Sequence, residues 1–468
     1  MNIRLFLLAV LTLFSLAAFA ESTPPIDESA LFGATVLREI DPKQVASGTV
    51  NLTPGAALAA TPLAAFVPTV RWGGSADAGV NAQWQYHENE LPTYDRGSAS
   101  VNSLIYFDAR PLETSRFYTE AAVSQDLEKP VQYRIREMFL DASLDGRVQF
   151  RVGKQRIAWG VGAWFSPADV LSLEAIDLND TGKKREGPFA LKVDVPVGLH
   201  SLTLYTVLPQ EAGVEGAAFA PRAEFLWGGY EVALAGYWRP DMSLRPRLIA
   251  LATGTTGPFT LNLESVALWG SDRHWVKWGA NGKTLEKSSD TNTWFLQAAL
   301  GAGWSWTSAE QDVGLNVQAQ YFYDGTGYQD PAILAQAASL IQKEVNKGKL
   351  SATDLANPGQ QYLAGTLTVT KLWADSIALG GSGWINLSDR SFRVAPSIQV
   401  KSIPRTSLRL QMSWEEGSKG QQYSPAGRTL TPALRLSLFD VVNLDLQVGF
   451  RGSDVLPKAS MQFTVPGF

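Results

Sequence analysis

The side chains best placed to do chemistry are acids and bases at alternate positions of one hairpin. Between Tyr133 and Lys154 the chain carries Glu137, Asp141, Arg147 and Arg151, and Asp145-Gly146 between them is a turn signal. A three-residue loop at 144–146 with Gly146 left-handed predicts Ser143 opposite Arg147, Asp141 opposite Gln149 and Phe139 opposite Arg151, all on one face. Ala142/Val148, Leu140/Phe150 and Met138/Val152 then make the other face, which is apolar. Arg151 lies diagonal to both Asp141 and Glu137, within reach of a long side chain. Such a ladder stays ionised only where water reaches it, because burial without water costs several kcal/mol per ion. It therefore either lines a wet lumen or fixes neighbouring strands as a structural network. Arg134 and Arg136 fall in the opposite phase, where lipid phosphates or the loops could meet them.

Other chemistries find little support. The three histidines, His87, His200 and His274, are far apart, and none has a metal-ligand spacing or a serine set beside it. No repeated pair of acids suggests a glycosidase, and Gly-x-Ser-x-Gly does not occur. With no cysteine there is no disulfide, thiolate site or lipidated N-terminal cysteine. The sequence predicts no catalytic residue, metal or cofactor. Lys and Arg number 40 against 45 Asp and Glu, so nothing favours a nucleic-acid partner. Lys183-Lys184-Arg185-Glu186 reads as a solvated loop tip, or as a contact for anionic saccharide or lipid head groups.

The elements that must hold these residues begin after a targeting segment. Arg4, the apolar run Leu5–Leu16 and the Ala18-Phe19-Ala20 cleavage site predict a signal peptide over 1–20. Its removal takes the net charge from −5 to −6. No later stretch has the ~20 apolar residues of a spanning helix. An exported chain of this kind is either a soluble β-protein or an outer-membrane barrel.

Period-two patterning favours the barrel. From Val70 to Tyr86 the even positions are apolar or small and the odd ones polar. The same alternation recurs to the end of the chain and assigns Arg409, Arg435, Asp445 and Arg451 to the polar, pore-lining phase. The runs are long enough to cross a bilayer at a ~45° tilt. Short connections, as at Gly228-Gly229 and Asp440–Val442, take turns with long ones such as 155–187 and 324–360, a rhythm of short periplasmic turns and long outer loops. Aromatics cluster at strand ends, among them Trp84, Trp238, Trp269, Trp275, Trp278, Trp304, Trp306 and Trp414. The fold class is all-β, a transmembrane antiparallel up-and-down barrel of about 18–20 strands, the lower number if the pair around Gly228-Gly229 merges. The domains are the signal peptide, a periplasmic extension over 21–69 and the barrel over 70–468. In the longest loop Asp330 and Pro331 start one short helix with Ile333, Ala337, Leu340, Ile341 and Val345 on one face. That helix either shields its own loop or folds into the pore.

After the ladder the chain runs Arg151-Val-Gly-Lys-Gln-Arg156, then Trp159-Gly160, then Pro167-Ala168-Asp169-Val170-Leu171. This resembles porin-like and alginate-export-like bacterial outer-membrane barrels, in which a strand ends R-x-G-x-Q-x-x-x-W-G before a loop with a P-x-D-V-L step. The likeness covers residues 133–171. It implies an Arg-rich pore-lining strand followed by a loop at the pore mouth, with Arg151, Lys154, Arg156 and Asp169 as pore or loop-anchoring residues. The expected function is passage of small polar solutes through a wet lumen, and the expected partners are outer-membrane lipid and the barrel-assembly machinery. The rivals are polysaccharide export, uptake of a hydrophobic compound, and a structural or adhesive barrel.

Overall fold

The computed structural model describes residues 67–86, 93–126, 129–174, 176, 185–208, 216–242, 244–308, 313–350, 352–355, 357–425, 427–452 and 454–465. The 1–20 segment, nearly all of 21–69, His87, Lys183 and Lys184 lie outside the described residues. The strands are β1 (Thr69–Gln85), β2 (Thr93–Leu112), β3 (Ser115–Asp126), β4 (Gln132–Leu144), β5 (Val148–Lys154), β6 (Phe189–Val197), β7 (His200–Leu208), β8 (Ala218–Trp227), β9 (Tyr230–Tyr237), β10 (Arg247–Thr256) and β11 (Phe259–Trp269). A hairpin of β12 (Trp275–Trp278) and β13 (Leu285–Ser288) sits in a loop. The wall then resumes with β14 (Trp294–Thr307), β15 (Gly314–Asp324), β16 (Gln361–Lys371), β17 (Ile377–Asn386), β18 (Ser391–Ile403), β19 (Thr406–Glu416), β20 (Thr429–Leu438), β21 (Val442–Arg451) and β22 (Asp454–Val465).

Apart from the β12–β13 hairpin, each strand pairs antiparallel with its neighbours in the chain, β11 bonds β14, and β22 returns to β1 over Ala76–Gln83. The 20-stranded sheet closes on itself and leaves no free edge. Gly228-Gly229 turns between β8 and β9 as separate strands, so the higher of the two expected counts holds. Both ends of the barrel chain, the start of β1 and the end of β22, lie on the short-turn rim.

The outer face is an apolar band, with Leu248, Leu300 and Leu446 exposed although they are aliphatic. Aromatics ring it at both heights. Trp72, Trp227, Trp306 and Trp373 mark the short-turn rim, and the Trp84–Tyr94, Phe219–Trp238, Trp269–Trp294 and Phe392–Trp414 pairs mark the other. Trp275 and Trp278 belong instead to the loop hairpin.

The helical loop breaks at Ala337 into α1 (Ala332–Gln336) and α2 (Ala338–Asn346), with α3 (Ala352–Leu355) beyond. Asp330 accepts the Ala332 N–H at 2.9 Å. Ala337, Ile341 and Leu350 pack with Val276 of β12, so the helices cover the loop hairpin.

Candidate pore and its inward-folded loop

The hairpin β4–β5 carries the charge ladder in a register two residues away from the expected one. Asp141 sits directly opposite Arg151, and Ser143 opposite Gln149. The turn occupies Asp145–Arg147, because both Asp145 (φ 50°) and Gly146 (φ 66°) take the left-handed conformation. Asp tolerates that region through local hydrogen bonds. A two-residue shift preserves the faces but moves Arg147 out of the ladder into the exposed turn.

Arg151 binds Asp141 through two hydrogen bonds of 2.7 and 3.1 Å, with its guanidinium 3.9 Å from the Phe139 ring centre. Next along the wall, Arg116 binds Asp108 at 2.9 and 3.1 Å and lies over Tyr118. Glu137 is inward and buried, 3.9 Å from Arg156. A β-bulge breaks the β3–β4 register between Glu120 and Ala121. It reverses the side-chain phase of β4, so the phase expected of Arg134 and Arg136 is corrected, while the expected contact with the loops holds for Arg134. Arg136 turns toward Glu120 at 3.7 Å, and Arg134 reaches Glu186 at 2.5 Å and Glu174 at 3.5 Å, while Tyr133 and Ile135 face out.

The loop after β5 folds along the inner wall. Gly153 (φ 132°) starts the departure, since a Cβ there would lie 2.1 Å from the Met138 carbonyl oxygen. Gln155 donates to the Ala190 carbonyl at 2.8 Å. Ile157, Trp159, Ala168 and Leu171 then cover inward residues of β6 to β11, among them Ala220, Ile249, Leu251, Val266 and Leu268. Trp164 and Phe165 continue onto β14 to β17, with Phe165 stacked on Phe322 at 5.1 Å.

Two buried wall residues hold the loop backbone. Glu264 on β11 accepts N–H groups of Val161 at 2.6 Å, Gly162 at 2.5 Å and Ala168 at 3.0 Å, together with the Ser166 hydroxyl at 3.1 Å. Gln320 on β15 accepts from Trp164 and Phe165 at 2.9 and 3.0 Å and donates to the Phe165 carbonyl at 2.7 Å. The close approach requires glycine at 162, where a Cβ would sit 2.1 Å from that same carbonyl oxygen. The chain folds as a closed 20-stranded antiparallel β-barrel with this loop laid along its inner wall.

The loop ends are tied by charge. Lys154 pairs with Glu186 and Arg185 with Asp169, which also accepts the Trp159 N–H at 3.3 Å. Arg185 and Glu186 are thus engaged and largely buried, which corrects their reading as a solvated tip. Burial pushes the Asp169 carboxyl above its ordinary value, and the Arg185 charge pulls it back.

The opposite wall differs. Arg409 is exposed on the inner face, with a 3.3 Å bond to Ser397, and stands directly across from Arg435. Arg435 binds Asp445 at 2.5 and 3.1 Å. Arg451 ends β21, across from Asp454. Of the histidines, His200 lies at a short turn and His274 bonds Asp354 in the loops, both away from the ladder.

Sequence reasoning named the ladder and the loop motif but missed Glu264 and Gln320. A signal existed for Glu264: it is a lone carboxylate in a strand whose inward phase, Val266 and Leu268, is otherwise apolar on that side.

No protein-family model and no curated protein sequence matches this chain. Among solved structures, engineered forms of the Rhodopseudomonas blastica porin align with it. A triple mutant does so at 10% identity and TM-score 0.35, and an alanine variant at 11% and 0.34, each spanning 85% of this chain and all of the other. Superpositions this loose carry no argument, and the fold rests on the closed sheet itself.

Proposed function

We propose that this protein is an outer-membrane channel passing small polar solutes through a water-filled lumen. The observation that carries the reading is the asymmetry of the interior. A loop pinned by Glu264 and Gln320 covers the wall from β6 to β17, while Arg409, Arg435 and Arg451 stay exposed on the facing wall. A sealed, dry lumen would leave Arg409 without solvation that its serine contact cannot replace. Narrowing from one side and hydration on the other is an arrangement for a restricted aqueous passage. In this reading the apolar band meets lipid, the 1–20 segment directs export, and the barrel-assembly machinery inserts the strands. Purified protein in a planar bilayer gives stepwise conductance, and its folded form migrates faster on a gel than the boiled one. A heat-modifiable barrel that never conducts refutes the channel.

A further inference from the structure

Inward-facing charge on β18–β22 is unbalanced. Taking the polar phase of each strand, the cations are Arg393, Lys401, Arg409, Arg435, Arg451 and Lys458, and the carboxylates are Glu415, Asp445 and Asp454. Glu415 lies 3.8 Å from Arg393, and Asp445 is taken by Arg435. Lys401, Arg409, Arg451 and Lys458 have no ion pair among the described residues, and all four are exposed. On the adjoining strand Asp77, held by Asn102 at 2.8 Å, is a carboxylate without a cation among the described residues. The described carboxylates of the inward loop, Asp169, Glu174 and Glu186, are each paired.

The unpaired cations are spread along the full height of this wall. Arg451 stands at the long-loop rim, Lys458 is lower on β22, Arg409 is lower again beside Arg435, and Lys401 is near the short-turn rim. Two guanidiniums at directly opposite positions, as at Arg409 and Arg435, repel each other unless water or an anion intervenes. Above the same strands a cavity of about 1080 Å³ is lined by Arg390 and Lys419, neither of them in an ion pair among the described residues. The two carboxylates there, Asp389 and Asp330, accept backbone N–H groups.

We infer that the channel favours small anions, drawn along this cationic track on β18–β22. The inference rests on the channel reading and names the solute class that channel prefers. A low-dielectric wall behind a one-signed row of charges concentrates counter-ions beside it. The paired charges on β2–β5, beyond β1, add little field.

Reversal potentials across a planar bilayer under a KCl gradient test it. The intact protein reverses on the chloride side. The preference shrinks as salt rises, since the Debye length falls from about 10 Å at 0.1 M to about 3 Å at 1 M. Lys401→Gln, Arg409→Gln and Lys458→Gln together move the reversal potential to zero or to the potassium side. Lys283→Gln, on the exposed β12–β13 turn, leaves it in place. Where the triple variant fails to show a heat-modifiable barrel, Lys458→Gln alone, which breaks no polar contact among the described residues, gives a smaller shift in the same direction. A conducting protein with potassium preference, with no preference, or with a preference the variants leave unchanged overturns the anion track and leaves the channel standing. A folded protein that never conducts overturns both.

Discussion

Arg116–Asp108 and Arg435–Asp445 are the same interaction in two settings. Each is a two-point guanidinium–carboxylate pair between inward-facing strands. The first has side-chain exposures of 5% and 2% and packs against Tyr118 and Phe139; the second has 51% and 15% and faces open lumen. Around Arg116 and Arg151 on β2–β5 the ions are paired, stacked on rings and largely shut away, so they act as part of the barrel's frame. On β18–β22 they are exposed and partly unbalanced, so their charge is open to the lumen. The same residue types in the same alternating phase are thus packed into the frame in one region and left open to the lumen in the other, and the rings of Tyr118 and Phe139 mark the difference.

Four substitutions would break or sharpen that contrast, in descending size. Glu264→Ala leaves three loop N–H groups without their acceptor, at about 1–3 kcal/mol each where water cannot replace it. The loop leaves the wall, protease cleaves within 155–188, and single-channel conductance rises; a loop still protected would show that Glu264 is not its anchor. Asp108→Ala strands a buried arginine and costs about 3–5 kcal/mol, read as a lower temperature for loss of the fast-migrating folded band. Gly162→Ala drives a methyl into the Phe165 carbonyl and costs about 1–3 kcal/mol, visible as increased current noise from a loosened loop. Asp445→Ala, on the wet wall, changes stability by no more than about 1 kcal/mol while raising anion preference. If Asp108→Ala and Asp445→Ala prove equally costly, the distinction between the walls fails.

Much of this was legible in the sequence, for physical reasons. A sheet that separates oil from water must alternate, so strand placement, closure and the inward phase of Glu137, Asp141, Arg409, Arg435 and Asp445 could be read from residue types alone. The P-x-D-V-L loop was visible as a motif, and Asp169 does tie it down through Arg185 and the Trp159 amide. The failures are local geometry and distance. The register of β4–β5 depended on Asp145 entering the left-handed region, which a non-glycine residue does not announce. The bulge opposite Glu120 turned Arg134 and Arg136 inward with no change in composition to mark it. The partners of the loop, Glu264 and Gln320, lie about a hundred and more residues further on, beyond any local pattern. Yet Ile249, Leu251, Val266 and Leu268 put apolar side chains in the inward phase, and that lapse in alternation marked a wall something else must cover.

The anchoring of the loop also ties distant parts of the chain to one task. Residues 157–171 follow β5 directly in sequence, but the carboxylate and amide that seat them belong to β11 and β15. A wall missing either strand has no complete dock for the segment. Whatever the order in which strands join, the interior is therefore narrowed only once all three regions are in place.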